Sequence, residues 1–379
     1  MISRVRLLTV LLSMGLIALA AVLVVAREGS SAGAATGGQT RTYYIAADEV
    51  AWDYAPSGYN QITGAPFDAA ANVFVQRGPD RIGRVYRKAH YQEYTDATFT
   101  TRKPIPARWQ HLGILGPVIR AEVGDTIRVV FKNNLRFPAS MHPHGVRYAK
   151  DSEGAPYADG TAAGAKHDDA VPPGGVHRYT WEVPVRAGPG PMDPSSVLWM
   201  YHSHTDEVQD AYAGLIGPLI VSARGTTNAD GTPRDVDREF VTLFMIFNEN
   251  QSPYLRHNIQ TYAAQPATVK PDDEGFEESN LKHSINGYLY GNLPLLTMRQ
   301  GERVRWYVLA MGTEVDLHTP HWHGQTLLIN GMRTDVAELL PGSMKVGDMR
   351  PDDAGIWLYH CHVNDHITAG MQARFQVLP

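Results

Sequence analysis

Four histidine pairs, set in a frame that occurs twice, constrain this chain more than any other feature. Residues 119–130 read IRAEVGDTIRVV and residues 296–307 read LTMRQGERVRWY. Each stretch leads to a His-x-His pair: His142 and His144 in MHPHG, His321 and His323 in HWHG. Each half then carries a second pair, His202 and His204 in WMYHSH, His360 and His362 in WLYHCH. Two copies of one unit is the simplest account. The flanking runs alternate apolar and polar residues, as in TIRVVF (126–131) and RVRWYV (303–308). Turn clusters such as VPPGG (171–175) separate them, and long amphipathic helical patterns are hard to find. Gly and Pro number 35 and 25 among 379 residues, a turn-rich count. The chain is predicted to be all-β.

The boundary between the copies is expected at 226–238, inside the polar stretch RGTTNADGTPRDVDR (224–238). That gives one domain over 42–225 and a second over 239–379. The N-terminus is of another kind. Arg4 and Arg6 precede 20 residues without a charge, Leu7–Ala26. A secretory signal has this order, with small residues near Ala26 for cleavage, and a retained membrane anchor of about 20 apolar residues fits equally well. Both export the rest of the chain, to a periplasm, the exterior or the outer face of a membrane. Residues 27–41 read as a flexible linker. The single cysteine excludes an intramolecular disulfide, and a net charge of −5 provides no basic footprint for nucleic acid.

Ten of the 16 histidines fall into four clusters: His142/His144, His202/His204, His318/His321/His323 and His360/His362/His366. The last brackets Cys361, and Met371 follows His366 closely. Side chains alternate along a strand, so the histidines of each pair share a face and eight imidazoles can converge. Cys361 points to the opposite face, where His318, His366 and Met371 can close around its sulfur. Two imidazoles, a thiolate and a more distant thioether make a blue-copper electron-transfer set. Zinc has no redox chemistry and suits that set less well. Eight imidazoles exceed the needs of one ion, so two or three coppers are expected there, joined to the thiolate through Cys361's own neighbours. The other histidines, His90, His111, His167, His177, His257 and His283, are expected to be structural.

These motifs resemble those of the multicopper oxidases, and the similarity runs from about Tyr43 to the C-terminus. The wording between them resembles the ceruloplasmin branch: LGPVIRAEVGD (115–125), VPPGG (171–175), HSINGYLYG (283–291) and HCHVNDHITAGM (360–371). The resemblance implies two cupredoxin-like Greek-key domains, sandwich or barrel. It implies a type 1 copper on His318, Cys361, His366 and Met371, and a type 2 copper on His142 and His321. His144, His202 and His362 would hold one type 3 copper, and His204, His323 and His360 the other. Four coppers per functional unit would take electrons singly from a phenol, an aromatic amine or a low-valent metal ion such as ferrous iron, as laccases and ferroxidases do. Dioxygen would be reduced to water. Ser203 stands where a type 1 cysteine would stand in the first half, so one type 1 copper per chain is expected. In two-domain members of the family the trinuclear cluster forms between one chain's first domain and the next chain's second. A homotrimer is therefore expected, with a monomer holding an internal cluster as the alternative.

Three acids complete the reading. Asp159, in YADG, resembles the acid that laccases place near the type 2 copper, a candidate proton relay; a turn aspartate before glycine explains it equally well. Asp365 adjoins His366, and Glu249 lies in FNENQ (247–251); both resemble acids that bind iron in ferroxidases, with plain surface charge as the competing reading. Tyr254 stands where a further iron ligand is expected. Two other functions compete with oxidation. A copper nitrite reductase also has two cupredoxin domains and three chains, but carries its type 1 cysteine in the first domain. A non-enzymatic copper-binding module would lack ligands, and every ligand is present.

Overall fold

Alternation along the chain becomes strand in the computed structural model, which describes residues 37–379. The apolar stretch 7–26 and most of the expected linker lie outside them. Among the described residues no helix is long and apolar enough to cross a membrane. The first half contributes β1 (Thr40–Asp53), β2 (Val85–Tyr94), β3 (Ile119–Glu122), β4 (Thr126–Asn133), β5 (His142–Pro143), β6 (Arg147–Tyr148), β7 (Val176–Glu182), β8 (Ser196–His202) and β9 (Ile216–Ser222). The second contributes β10 (Arg238–Asn248), β11 (Leu281–Ile285), β12 (Leu296–Arg299), β13 (Val304–Ala310), β14 (Pro320–Trp322), β15 (Leu327–Ile329), β16 (Met332–Thr334), β17 (Met344–Met349), β18 (Gly355–Cys361) and β19 (Gln372–Leu378).

The repeat seen in the sequence is a repeat of topology. The first half forms sheets β2-β1-β4-β7-β6 and β3-β9-β8-β5. The second forms β11-β10-β13-β17-β15-β16 and β12-β19-β18-β14. Parallel pairing of β1 with β4 matches that of β10 with β13, and parallel pairing of β3 with β9 matches that of β12 with β19. The antiparallel partners also correspond: β2 to β11, β7 to β17, and β5–β8–β9 to β14–β18–β19. The expectation of an all-β chain built from two cupredoxin-like units holds. Strand β19 alternates buried and half-buried residues without a break, the pattern of a sheet with one covered face.

Strand β10 is different, because nearly all its residues are buried. Phe240, Phe244 and Ile246 enter the core of the second half. Val241, Leu243, Met245 and Phe247 enter a core shared with Tyr54, Met200, Ile216 and Ile220 of the first half. Full burial of each such side chain is worth about 1.5–3 kcal/mol. The halves are thus joined by an apolar layer, and residues 38–379 form one compact unit. Arg120 adds a two-pronged contact to Glu239 across the same junction, at 3.1 and 2.9 Å.

Thr40 and Arg41, expected in the linker, belong to β1, where they pair with Thr126 and Ile127. The stretch 226–238 is tied to both halves: Thr227 donates through Oγ1 to Glu122 at 2.6 Å, Asp235 pairs with Arg303 at 3.2 Å, and Arg238 opens β10.

Candidate metal centre

The histidine pairs sit at strand ends that face each other. His142 of β5 is the register partner of His202 of β8, and His321 of β14 is the partner of His360 of β18. One tetrad, His142, His144, His202 and His204, has ring centroids 5.2–5.5 Å apart. The other, His321, His323, His360 and His362, has them 4.6–5.4 Å apart. Within the first, the Nε2 atoms of His144 and His202 face each other at 3.1 Å. Within the second, those of His323 and His360 do so at 3.0 Å. Each group of convergent ligand atoms draws on one half alone among the described residues.

Backbone carbonyls set the tautomers. The Nδ1 of His142 donates to Glu153 O (2.7 Å), that of His202 to Ser203 O (3.0 Å) and that of His360 to Cys361 O (2.7 Å). The Nε2 lone pairs are left to face inward. Burial, reinforced by the neighbouring imidazoles, pushes His144 and His360 down to about 4 and His202 to about 3. These rings are neutral and ready to ligate. At the open side, Glu207 lies 3.2 Å from His204 Nε2 and Asp335 lies 3.5 Å from His321 Nε2. His362 is exposed.

Cys361 is fully buried on the other face of β18, and its sulfur is 3.5 Å from His366 Nδ1 and 3.9 Å from His318 Nδ1. Those two nitrogens are 3.2 Å apart, so three donors converge on one point. Met371 is fully buried in the same core, and its carbonyl accepts from Cys361 N at 3.1 Å. Burial pushes the Cys361 thiol up, but hydrogen bonds from His318, His366, Thr319 and Val363 outweigh it and bring the thiol to about 6. The site therefore presents a thiolate and two imidazoles in a dry setting, a donor set suited to copper.

Sequence reading missed the support around this site. Asp316 is fully buried and lies 3.2 Å from His318 Nε2, holding the ring so that Nδ1 faces the sulfur. Asp316 itself accepts from Ile246 N and Thr313 N. Gly312, at φ +125°, is required there: a Cβ would sit 2.0 Å from Asp316 Oδ2. His283, expected to be structural, has its ring 5.2 Å from that of His366, and burial pushes it to about 3. Asp316 closes a turn two residues before His318, outside any strand, and neither it nor His283 carried a periodic signal.

The three acids fare differently. Asp365 is exposed in the first turn of the short helix Asn364–Thr368, next to buried His366. Glu249 is fully buried, and its Oε1 accepts from Lys88 Nζ (2.5 Å) and Tyr54 Oη (2.6 Å). A buried carboxylate needs such a partner. Tyr254 is likewise fully buried, donating to Glu49. Asp159 is bound by Lys166 Nζ at 2.9 Å and by the amide and hydroxyl of Thr161, which hold its carboxyl well below the usual range.

Comparison with known proteins bears on this arrangement. Residues 111–226 and 260–379 each match a family profile described as multicopper oxidase. Over 346 residues the chain is 46% identical to human hephaestin, covering 90% of this chain and 30% of that protein. It is 46% identical to human ferroxidase HEPHL1 over 89% of this chain and 29% of the relative, and 42% identical to human ceruloplasmin over 90% and 33%. The chain thus spans about a third of the curated relatives it matches. Among solved structures, a multicopper oxidase aligns at TM-score 0.56 and 19% identity, covering 89% of each chain. A copper nitrite reductase from Nitrosomonas europaea aligns at 0.57 and 17% identity, covering 89% of this chain and 94% of that one. At such identities these two structures speak for the fold.

Proposed function

Because this chain belongs to the multicopper oxidase family, we propose that it couples one-electron oxidations of a reducing substrate to the reduction of dioxygen to water. The observation that carries this reading is the ligand geometry: one thiolate site, and one facing Nε2 pair in each half. His318, Cys361 and His366, with Met371 as the distant fourth ligand, would hold a type 1 copper. His142 and His321 would hold a type 2 copper. His144 and His202 with His362, and His323 and His360 with His204, would hold two type 3 coppers. Copper bound in these sets supplies one-electron transfer at the thiolate and dioxygen reduction at the imidazoles.

The chain's own part is positional. Strand β18 places Cys361 between His360 and His362, giving a covalent path from the sulfur to the second tetrad. Asp316 orients His318, and three backbone carbonyls orient His142, His202 and His360. Each Nε2 pair has a third imidazole of its own half beside it, His142 or His321, which the scheme above gives to the type 2 copper. The remaining ligand of each type 3 set, His362 or His204, we assign to a neighbouring chain in a head-to-tail homotrimer. Residues 7–26 would export the chain, as a cleaved signal or a retained anchor.

For the substrate, ferrous iron and phenols are the two classes to compare. One relative is named a ferroxidase, and Asp365 offers a hard carboxylate at the surface beside His366. The test is a dioxygen electrode supplied with a phenol, ferrous, manganous or cuprous ion and copper-replete protein. The preparation should be blue and should take up dioxygen with at least one of them. Colour without uptake, or nitrite reduction in place of uptake, would remove the oxidase reading in favour of electron transfer or nitrite reduction.

A further inference from the structure

The polar set around Ser203 keeps the outline of the copper site in the other half. Ser140 N donates to Ser203 Oγ (3.0 Å) as Thr319 N donates to Cys361 Sγ (3.4 Å). Ser203 N donates to Leu215 O as Cys361 N donates to Met371 O, both at 3.1 Å. Leu215 N donates to Asp210 O (3.1 Å) as Met371 N donates to His366 O (2.9 Å). Ala139 bridges to Val171 as His318 bridges to Leu339. Gly214 and Gly370 take matching positive φ angles of 116° and 109°. This register puts Ser203 at the position of Cys361, Asp210 at that of His366, Ala139 at that of His318 and Leu215 at that of Met371.

All four positions have changed, in two ways. Ala139 and Leu215 are apolar and fully buried. Ser203 and Asp210 are polar, buried and bonded to each other, Ser203 Oγ donating to Asp210 Oδ2 at 2.6 Å. Asp210 Oδ2 also accepts from Asp206 N at 3.1 Å. Burial pushes the Asp210 carboxyl up to about 6, a cost that an apolar pair of similar volume would avoid.

We propose that the Ser203–Asp210 hydrogen bond performs the mechanical task of the missing copper, clamping the strand end so that His202 and His204 present their rings to the trinuclear site. In the second half, an ion held by Cys361 and His366 would tie β18 to the helix Asn364–Thr368. In the first, the hydrogen bond ties β8 to the helix Glu207–Ala213. Ser140 extends the clamp: its Oγ accepts from His204 N (3.0 Å) and donates to Gly154 O (2.7 Å), beside the Glu153 carbonyl that holds His142. Asp210 and Ser203 are positioning residues; neither touches copper.

This inference rests on the multicopper reading above, and the experiment separates the two. Wild type, Asp210→Ala, Ser203→Ala and Asp210→Asn are loaded with copper. Copper content, the type 3 near-ultraviolet band, the blue band and the type 1 reduction potential are then measured. The two alanine variants should hold the coppers of the tetrads about 10–100-fold more weakly, with the blue band and potential unchanged. Asp210→Asn keeps an acceptor for Ser203 and should retain them. Tetrad copper at wild-type affinity in both alanine variants overturns the clamp, as does loss of the blue band alongside it or loss of tetrad copper in Asp210→Asn. Should Asp210→Ala fail to fold, Ser203→Ala and Asp210→Asn still decide. Wild type with a blue band and no tetrad copper would instead sink the multicopper reading.

Discussion

The Cys361 sulfur is held by two imidazoles on one side and by a backbone N–H from Thr319 on another. Cys361→Ser should abolish the blue band while the tetrads keep their copper, read by absorbance and metal analysis; loss of all copper would contradict separate sites. Asp316→Asn removes a negative charge from behind His318. The type 1 reduction potential should rise and copper affinity there should fall about 10–100-fold, measured by redox titration and competition with a chelator. The convergence of the histidines, and of Cys361 with His318 and His366, was legible because strand alternation and His-x-His spacing are local signals. The burial of Glu249 was not legible because its partner Lys88 lies 161 residues away, and Asp210 was passed over because its meaning appears only beside the other half.

Single strands carry most of the information about how the molecule is assembled. Their alternation and turns were readable in both halves, and the strand order repeats accordingly. The two faces of β10 were not. A continuous apolar run announces burial on both sides, but which surface covers each side depends on tertiary packing. Leu243 is fully buried on the face shared with the first half. Leu243→Ala should cost about 2–5 kcal/mol, seen as a lower midpoint in denaturant unfolding. A change confined to the second half's own core would leave signals from the first half untouched, so one concerted transition is the expected outcome.

At the scale of the molecule, acid should weaken the copper-free chain. Burial holds His202 and His283 near 3 and His111, His144 and His360 near 4, against a usual value of 6.5. The unfolded chain binds more protons below pH 6.5, so stability present above that pH is lost as pH falls towards 4. Asp210 acts in the opposite sense: raised to about 6 from 3.8, it contributes stability at low pH that is lost as pH rises through 6. Five imidazoles outweigh one carboxyl, and the melting temperature of copper-free protein should drop between pH 6.5 and about 4. A flat profile would contradict these shifts.

The division of the imidazoles into one tetrad per half also has a genetic consequence. In the proposed ring, a chain spoiled in its first tetrad (His202→Ala) still lends a sound second tetrad to one neighbour. A chain spoiled in its second (His323→Ala) lends a sound first tetrad. Each variant alone has no intact cluster, whereas a mixed ring places one sound pair of halves face to face. Co-expressed, two dead enzymes should therefore revive each other's dioxygen uptake, and a cell carrying both defective copies would score as active.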